Sequence, residues 1–240
     1  MTCILISDVA YGEANGKPLL LDILRPDPVP EASMPVIMEI HAGAWAYGEK
    51  YPERNRPFAE QGYFTVSVNY RLSGEAIFPA PLDDLKLALT WLRNHTDEYH
   101  LDAERIGVWG VSSGGHLAAL LGTTSDVQAV ATLSGPSDLL AMATNPFLPA
   151  LLGGPVLERQ ELARKASPVT YVHASAPPFL IMHGTTDQTV PFAQAVLLRD
   201  ALQKVGAEVT FIPFEGAGHF PAIPTPEFYP PMIDFFSKHL

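Results

Sequence analysis

Residues 105–121 read Arg105-Ile106-Gly107-Val108-Trp109-Gly110-Val111-Ser112-Ser113-Gly114-Gly115-His116-Leu117-Ala118-Ala119-Leu120-Leu121. The first part is a short apolar run of the kind found in a buried strand, and the last part has the small and apolar residues of a packed helix. Between them, residues 110–114 match the pattern G-x-S-x-G. The stretch therefore predicts a strand, an abrupt turn and a helix.

This turn would present Ser112 for chemistry. A serine on a sharp strand-to-helix turn is held in a strained backbone conformation, with its hydroxyl exposed above the sheet. Gly110 and Gly114 leave room where a Cβ would clash with the neighbouring strand or helix. The N–H of Ser113 would then face the group that Ser112 attacks. The alternative is a glycine- and serine-rich helix start without chemistry.

The amino-acid composition is typical of a globular protein and excludes several classes of partner. The chain has 240 residues, of which 47% are hydrophobic and 17% charged, which favours one large globular domain over residues 1–240. A formal charge of −11 makes nucleic acid and anionic membranes poor partners. The single cysteine, Cys3, excludes an internal disulfide, and the N-terminus lacks the features of a signal peptide. We therefore expect a cytoplasmic location; the oligomeric state is not indicated.

The pattern along the chain is typical of an α/β fold. Two short apolar segments at the start predict an antiparallel pair, and a proline-rich connection follows at 25–30. From Pro35 onwards, strands alternate with helices, which predicts a mainly parallel, doubly wound sheet of about eight strands with helices on both faces. The predicted strands are Ile4–Tyr11, Leu19–Leu24, Val36–Ile40, Phe64–Val68, Ile106–Trp109, Val127–Leu133, Phe179–Met182 and Val209–Ile212, and the predicted helices are Pro81–Asn94, Glu158–Lys165, Val190–Val205 and Pro226–Leu240.

Residues 136–176 are less regular than the rest of the chain. Between residues 136 and 155, six prolines and glycines interrupt a run that is otherwise rich in leucine and alanine. In a doubly wound sheet, the loops at the carboxyl ends of the strands shape the pocket. We therefore interpret 136–176 as an irregular insertion that forms a wall of the pocket.

A serine nucleophile needs a base, and the base needs a group that orients it. His219 follows a predicted strand within a tight glycine loop, so we expect it to be the base. Asp187 follows another strand and is the predicted orienting acid; Asp138 is the second choice. His183 is interpreted as a structural residue of the Asp187 loop. The alternatives are a solvent-exposed loop histidine and an aspartate that caps a turn.

Two arms would supply N–H donors to the developing oxyanion. Ser113 provides one donor directly after the nucleophile. The small residues 41–45 follow the earlier strand at Val36–Ile40, and we assign the remaining donors to Gly43 and Ala44. The alternative is an ordinary strand end made of small residues. The chain order of Ser112, Asp187 and His219 agrees with the α/β-hydrolase fold.

Taken together, these motifs resemble those of α/β-hydrolase esterases, in particular the bacterial feruloyl- and acetyl-xylan-esterase-like (BD-FAE-like) branch and the hormone-sensitive-lipase-like carboxylesterases. The matching segments run in register over nearly the whole chain. They are His41-Ala42-Gly43-Ala44-Trp45, Ser67-Val68-Asn69-Tyr70-Arg71-Leu72, Gly110-Val111-Ser112-Ser113-Gly114-Gly115-His116-Leu117-Ala118, Gly135-Pro136-Ser137-Asp138-Leu139, His183-Gly184-Thr185-Thr186-Asp187 and Gly216-Ala217-Gly218-His219.

The resemblance implies hydrolysis of small-molecule carboxylic esters by a Ser-Asp-His triad, without a metal or cofactor. The sequence departs from the family pattern in the oxyanion motif. Ala42 and Ala44 stand where the family usually has glycine. If either position requires a positive φ, alanine adds about 1 to 2 kcal/mol of strain.

The expected function is that of a serine carboxylesterase acting on acetyl to butyryl esters, including acetylated or feruloylated carbohydrate, through an acyl-enzyme. The residues before His41 read as strands rather than as a helical cap, so we expect an open site with a shallow acyl pocket. Three alternatives remain: an arylformamidase, a small peptidase of the same fold, and a non-catalytic binding protein with a hydrolase fold.

Overall fold

The structure is a computed structural model that describes residues 2–221 and 225–240. Over these residues the chain forms one eight-stranded sheet with strand order β1-β2-β4-β3-β5-β6-β7-β8. The strands are β1 (Thr2–Ala14), β2 (Lys17–Asp27), β3 (Met34–Ile40), β4 (Phe64–Val68), β5 (Leu101–Val111), β6 (Ala129–Leu133), β7 (Phe179–Gly184) and β8 (Val209–Phe214). The predicted fold class is confirmed.

The helices follow the strands in alternation from β3 onwards. They are α1 (Arg56–Ala59), α2 (Ala80–Asn94), α3 (Thr96–Tyr99), α4 (Ser113–Thr124), α5 (Leu148–Leu152), α6 (Gln160–Lys165), α7 (Ala193–Lys204) and α8 (Tyr229–His239). Short 3₁₀ turns lie at Pro52–Asn55, Val156–Glu158, Pro168–Tyr171 and Pro226–Phe228. None of the helices within the described ranges combines the length and the apolar character that crossing a bilayer requires.

The strand directions place the chemistry at one edge of the sheet. β1 and β2 form an antiparallel hairpin, and β2 runs antiparallel to β4. The six strands in the order β4-β3-β5-β6-β7-β8 are all parallel to one another. Their carboxyl ends therefore share one edge, where ligand sites of open α/β sheets are found. The start of β2 lies at the same edge, because β2 runs in the opposite direction.

The core lies on both faces of the sheet, as the alternation of side chains along a strand requires. On β3, Val36 and Met38 belong to one buried cluster, together with residues of α2 and α4. Ile37 points to the other face and packs in a second cluster with Phe58 and Phe236. The sheet is therefore covered on both sides.

Several predicted element boundaries differ from the observed ones, and two of these differences have a direct structural cause. The strand β2 extends to Asp27, into the proline-rich segment. Pro26 is tolerated there because β4 pairs only with residues 21–24, so this end of β2 has no ladder partner on that side. The helix α7 begins at Ala193 rather than at Val190, because the N–H groups of Thr189 and Val190 are bound by the Asp187 carboxylate.

Candidate active site

Ser112 lies on a strained turn between β5 and α4. Its backbone has φ +54° and ψ −119°, a conformation that costs about 1 to 3 kcal/mol in a non-glycine residue. Its N–H donates to Leu133 O at 2.8 Å, which ties the turn to the end of β6. A Cβ at Gly114 would lie 2.0 Å from Ile40 O, and one at Gly110 would lie 2.4 Å from the Gly114 carbonyl carbon. The two glycines are therefore required for the approach of helix and strands.

Asp187 and His219 are in direct contact. Asp187 Oδ2 lies 2.7 Å from His219 Nδ1. The other carboxylate oxygen accepts the N–H groups of Thr189 at 2.8 Å and Val190 at 2.9 Å, which fixes the plane of the group. The Asp187 side chain is fully buried, whereas 23% of the His219 side chain is exposed. The imidazole is therefore anchored on one side and open to solvent on the other.

Hydrogen bonds between loops hold His219 at this edge. Thr186 Oγ1 donates to Ala217 O at 3.0 Å, and the Thr186 N–H donates to the same oxygen at 3.0 Å. On the other side of the ring, the Phe220 N–H donates to Ser134 Oγ at 3.4 Å. The glycine loop predicted from the sequence is thus fastened to the ends of both β6 and β7.

The structure brings the three predicted residues to one edge of the sheet. Ser112 follows β5, Asp187 follows β7, and His219 follows β8. Asp187 and His219 are joined by the hydrogen bond described above. Among the described residues, no hydrogen bond joins Ser112 Oγ to the His219 imidazole. Such bonds are often long before substrate binds and tighten only in the complex.

His183 shares the Asp187 carboxylate. Its side chain is buried, and its Nε2 donates to Val190 O at 2.8 Å and lies 3.3 Å from Asp187 Oδ2. Burial by itself would raise the pKa of Asp187, but the hydrogen bonds from His183, His219 and Val190 outweigh this effect and hold the pKa well below its usual value. Asp187 is therefore ionised at neutral pH, and His183 is a structural residue of this loop, as predicted.

The second choice of acid does not reach the site. Asp138 Oδ1 accepts the N–H groups of Leu140 at 3.0 Å and Ala141 at 3.2 Å. This is an aspartate turn that caps its own loop. Of the two candidates, Asp187 is the one that contacts the His219 ring among the described residues.

The predicted oxyanion arm is a tight turn with three consecutive left-handed residues. The φ angles are +134° at Gly43, +52° at Ala44 and +58° at Trp45. The Gly43 carbonyl accepts the N–H groups of Ala46 at 3.0 Å and Tyr47 at 2.9 Å. A Cβ at Gly43 would lie 2.0 Å from Tyr47 O. The turn therefore requires glycine at 43 and imposes a positive φ on Ala44.

A buried histidine, His116, stabilises this turn through a hydrogen bond with Trp45. Trp45 Nε1 donates to His116 Nδ1 at 3.1 Å, and His116 Nε2 lies 2.6 Å from Ala166 O. Because an indole N–H only donates and a carbonyl only accepts, His116 must carry its proton on Nε2. Burial lowers the pKa of His116 to about 4, which keeps the ring neutral.

Two residues at the site have no assigned role in the sequence prediction. Tyr70 stacks on His41 with ring centroids 4.3 Å apart, and its hydroxyl donates to His41 O at 3.1 Å. Ser134 binds the loop of His219, as described above. Tyr70 falls in the matching segment 67–72, but Ser134 follows a strand without any motif. Beside Tyr70, the Arg71 guanidinium forms an ion pair with Asp84 at 2.7 Å.

Comparison with known proteins identifies a family and several related esterases. A family model described as BD-FAE matches residues 21–202. Esterase LipQ from Mycobacterium tuberculosis is 35% identical over 240 aligned residues, which cover 89% of this chain and 56% of LipQ. The probable carboxylic ester hydrolase LipM from the same organism is 34% identical, with 84% of this chain and 52% of LipM covered. The chain thus spans about half the length of these relatives.

Two solved structures are also similar. A truncated carbohydrate esterase from gut microbiota superposes with a TM-score of 0.85 and 28% identity, covering 98% of this chain and 95% of that one. Esterase Est2 from Thermogutta terrifontis gives a TM-score of 0.74 at 28% identity, covering 88% and 82% of the two chains. The likeness to both structures extends over most of this chain.

Proposed function

The chain belongs to the BD-FAE family, and from this premise we propose that it is a serine carboxylesterase that cleaves short-chain acyl esters through an acyl-enzyme. The observation that carries the proposal is the 2.7 Å contact between Asp187 and His219, at the edge of the sheet where Ser112 occupies a strained turn. The esterase relatives and structural neighbours support the same reaction.

In this mechanism Ser112 Oγ attacks the carbonyl carbon of the ester. His219 Nδ1–H donates to Asp187, so Nε2 is the nitrogen that accepts the Ser112 proton. The ionised Asp187 stabilises the imidazolium that forms. His219 then gives the proton to the leaving alcohol, and the acyl group remains on Ser112. Water, activated by His219, completes the hydrolysis and releases the carboxylic acid.

The oxyanion of the tetrahedral intermediate would be bound by the N–H groups of Gly43, Ala44 and Ser113. The Ser113 N–H lies in the first turn of α4, where it has no partner within the helix. The positive end of the helix dipole also favours the developing charge. Loss of one such donor costs about 10²- to 10³-fold in rate in comparable sites.

A short acyl group and a carbohydrate alcohol are the proposed parts of the substrate. Est2 has also been solved with propionate and with butyrate bound, which supports acyl groups of this length. The similar protein from gut microbiota is a carbohydrate esterase, which supports a sugar ester. The proposed partner is thus a small-molecule ester.

Residues 136–176 are the proposed wall of the acyl pocket. A small cavity of about 230 Å³ lies between Met142 and Asn145 on one side and Thr189 on the other. Asn145 Nδ2 lies 3.5 Å from Thr189 O. Since Thr189 binds the Asp187 carboxylate, the insertion contacts the same loop that orients His219.

The test is hydrolysis of p-nitrophenyl esters from acetate to palmitate by the native protein and by Ser112→Ala. We expect turnover of acetate and butyrate, little of palmitate, and a loss of about 10⁶-fold in kcat in Ser112→Ala. Ser125→Ala, at the opposite end of α4, is the matched control. Activity that survives in Ser112→Ala would show that the nucleophile is a different residue.

The same preparations decide between the alternative functions. An N-formyl aromatic amine tests the arylformamidase, and a dipeptidyl p-nitroanilide tests the peptidase. A protein that is folded by circular dichroism and inactive on every compound would contradict the esterase proposal and favour a binding protein.

A further inference from the structure

The Tyr70 hydroxyl lies between the two arms of the proposed oxyanion hole. It donates to His41 O at 3.1 Å, and His41 begins the turn that carries Gly43 and Ala44. The same carbonyl faces α4, because a Cβ at Gly114 would lie 2.9 Å from it. The carbonyl that Tyr70 binds is therefore at the point where the turn meets the helix of the nucleophile.

The Tyr70 hydroxyl also faces the second arm. Burial raises the pKa of Tyr70, and an interaction with the Ser113 hydroxyl opposes part of this rise. The Ser113 side chain is itself buried, and its N–H is the donor that follows the nucleophile. One hydroxyl thus interacts with a residue of each arm, His41 and Ser113.

The Tyr70 ring holds His41 as well. The two rings are stacked, with centroids 4.3 Å apart and planes 9° from parallel. His41 Nδ1 lies 2.9 Å from Ala42 O, and a Cβ at Gly48 would lie 2.8 Å from the same nitrogen. The His41 ring is therefore packed between Tyr70 and the Gly48 backbone, so a displacement of Tyr70 would be transmitted to the start of the turn.

The segment that carries Tyr70 is fixed on both sides. Tyr11 Oη donates to Asn69 O at 2.5 Å. On the other side, the Arg71 N–H donates to Asp84 Oδ2 at 2.8 Å. Contacts from β1 and α2 therefore anchor this segment, and Tyr70 provides a fixed position against which the turn is held.

The turn needs such support because its backbone is strained. Ala44 and Trp45 both have a positive φ, and strained residues persist only where surrounding contacts determine their conformation. At the end of the turn, Trp45 is bound by His116. At its start, the corresponding contact is the one between Tyr70 and His41.

We propose that Tyr70 is a positioning residue for ester hydrolysis: its hydroxyl fixes the N–H groups of the oxyanion turn relative to the Ser113 N–H. The inference rests on the proposed function and adds a residue that acts on the reaction through both arms. Donors to an oxyanion stabilise the transition state more than they stabilise the bound ester. Loss of the hydroxyl should therefore lower kcat and leave KM nearly unchanged.

Tyr70→Phe removes the hydroxyl and keeps the stacked ring. We expect kcat for p-nitrophenyl acetate to fall about 10- to 100-fold, as for donors that are misplaced, with KM within about 2-fold of the native value. The matched control is Tyr63→Phe, because Tyr63 is also buried and lies at the opposite end of β4. Its kcat should stay within about 2-fold of the native value. Equal losses in the two variants, or a loss that appears only as a higher KM, would overturn the inference.

Inhibition by an ethyl trifluoromethyl ketone separates positioning from a general loss of stability. Ser112 Oγ bonds to the carbonyl carbon, the Ser112 proton passes to His219, and the carbonyl electron pair becomes an oxyanion with no leaving group to expel. We expect Ki to rise in Tyr70→Phe by the same factor, about 10- to 100-fold, by which kcat/KM falls. An unchanged Ki would overturn the inference.

Hydrogen exchange followed by NMR tests the turn without any substrate. The N–H groups of Ala46 and Tyr47, which both donate to a carbonyl within the turn, should exchange at least about 5-fold faster in Tyr70→Phe than in the native protein. The Ser134 N–H, which is bonded to β7, is the reference that should not change. Unchanged exchange at Ala46 and Tyr47 would overturn the inference even if esters are hydrolysed. Faster exchange without any ester hydrolysis would support control of the turn by Tyr70 and contradict only the esterase function.

Discussion

His183 Nε2 lies 3.3 Å from Asp187 Oδ2, the carboxylate oxygen that also contacts the His219 ring. His183 is buried, and its Nε2 must carry a proton because it also faces Val190 O at 2.8 Å. One carboxylate is thus held between two imidazoles, of which one is buried and the other open to solvent. The buried ring fixes the position of Asp187, and Asp187 in turn fixes His219.

Replacement of Asp187 should remove this control of His219. In Asp187→Asn, an amide nitrogen can face His219 Nδ1 and favour the tautomer that cannot accept the Ser112 proton. We expect kcat for p-nitrophenyl acetate to fall about 10⁴-fold with little change in fold. The control is Asp138→Asn, which should stay within 3-fold of the native protein because Asp138 only caps its own turn. Equal losses in the two variants would contradict the assignment.

Asp187 should also make stability depend on pH in the acid range. Its pKa is lower in the folded protein than in the unfolded chain, so the unfolded state binds more protons as the pH falls below about 4. The stabilisation is therefore complete above this pH and is lost below it. Thermal unfolding from pH 7 to pH 2.5 should show a steeper decline in Tm for the native protein than for Asp187→Asn. Parallel curves would show that the carboxylate is not stabilised by folding.

His116 should make the stability of the fold depend on pH in a higher range than Asp187 does. Its pKa is lowered to about 4 by burial, whereas the unfolded value is near 6.5. Between these values the unfolded state binds the extra proton, so stability falls as the pH decreases from about 6.5 to 4, by on the order of 2 to 3 kcal/mol. His116→Gln keeps one acceptor and one donor and should flatten this part of the Tm profile. His41, whose pKa burial also lowers to about 4, accounts for the remaining slope.

The left-handed turn gives a matched pair of variants. Ala44 has φ +52°, so Ala44→Gly removes about 1 to 2 kcal/mol of strain from the folded state. Glycine also raises the conformational entropy of the unfolded chain, which costs about 0.4 to 1 kcal/mol of stability. A net gain of about 0.5 to 1 kcal/mol in the free energy of unfolding is expected. Ala42 is buried and lies outside the left-handed region, so Ala42→Gly should lose about 1 kcal/mol. Urea denaturation of both proteins measures the difference, and a loss in Ala44→Gly would contradict the strain argument.

Much of the fold is predictable from local patterns. The apolar run before Ser112 and the glycines around it predict the turn. Only glycine fits at these positions, because the helix and the strands lie too close together to leave room for a Cβ atom. The alternation of strands and helices predicts the parallel sheet. The errors at Asp27 and Val190 concern element ends, which depend on neighbours distant in sequence: the missing partner of β2 and the Asp187 carboxylate.

The candidate site is predictable only in part. His219 and Asp187 could be chosen from their positions after strands, but Asp138 has a similar position. The contact of Asp187 with His219 is visible only in the folded chain. No local motif marks Ser134, and the matching segment 67–72 contains Tyr70 without indicating its contact. Each acts through a hydrogen bond to a residue far away in the chain, Phe220 and His41 respectively.

Local sequence is enough to predict the strained serine turn, the order of the strands and helices along the chain, and the required glycines, because these depend on steric limits within a few residues. Three features become apparent only in the folded chain: the contact of the Asp187 carboxylate with His219, the positive φ of Ala44, and the neutral state of His116 next to Trp45. These features depend on hydrogen-bond partners and burial that the folded chain supplies from residues tens of positions apart, and no pattern within a short window specifies them.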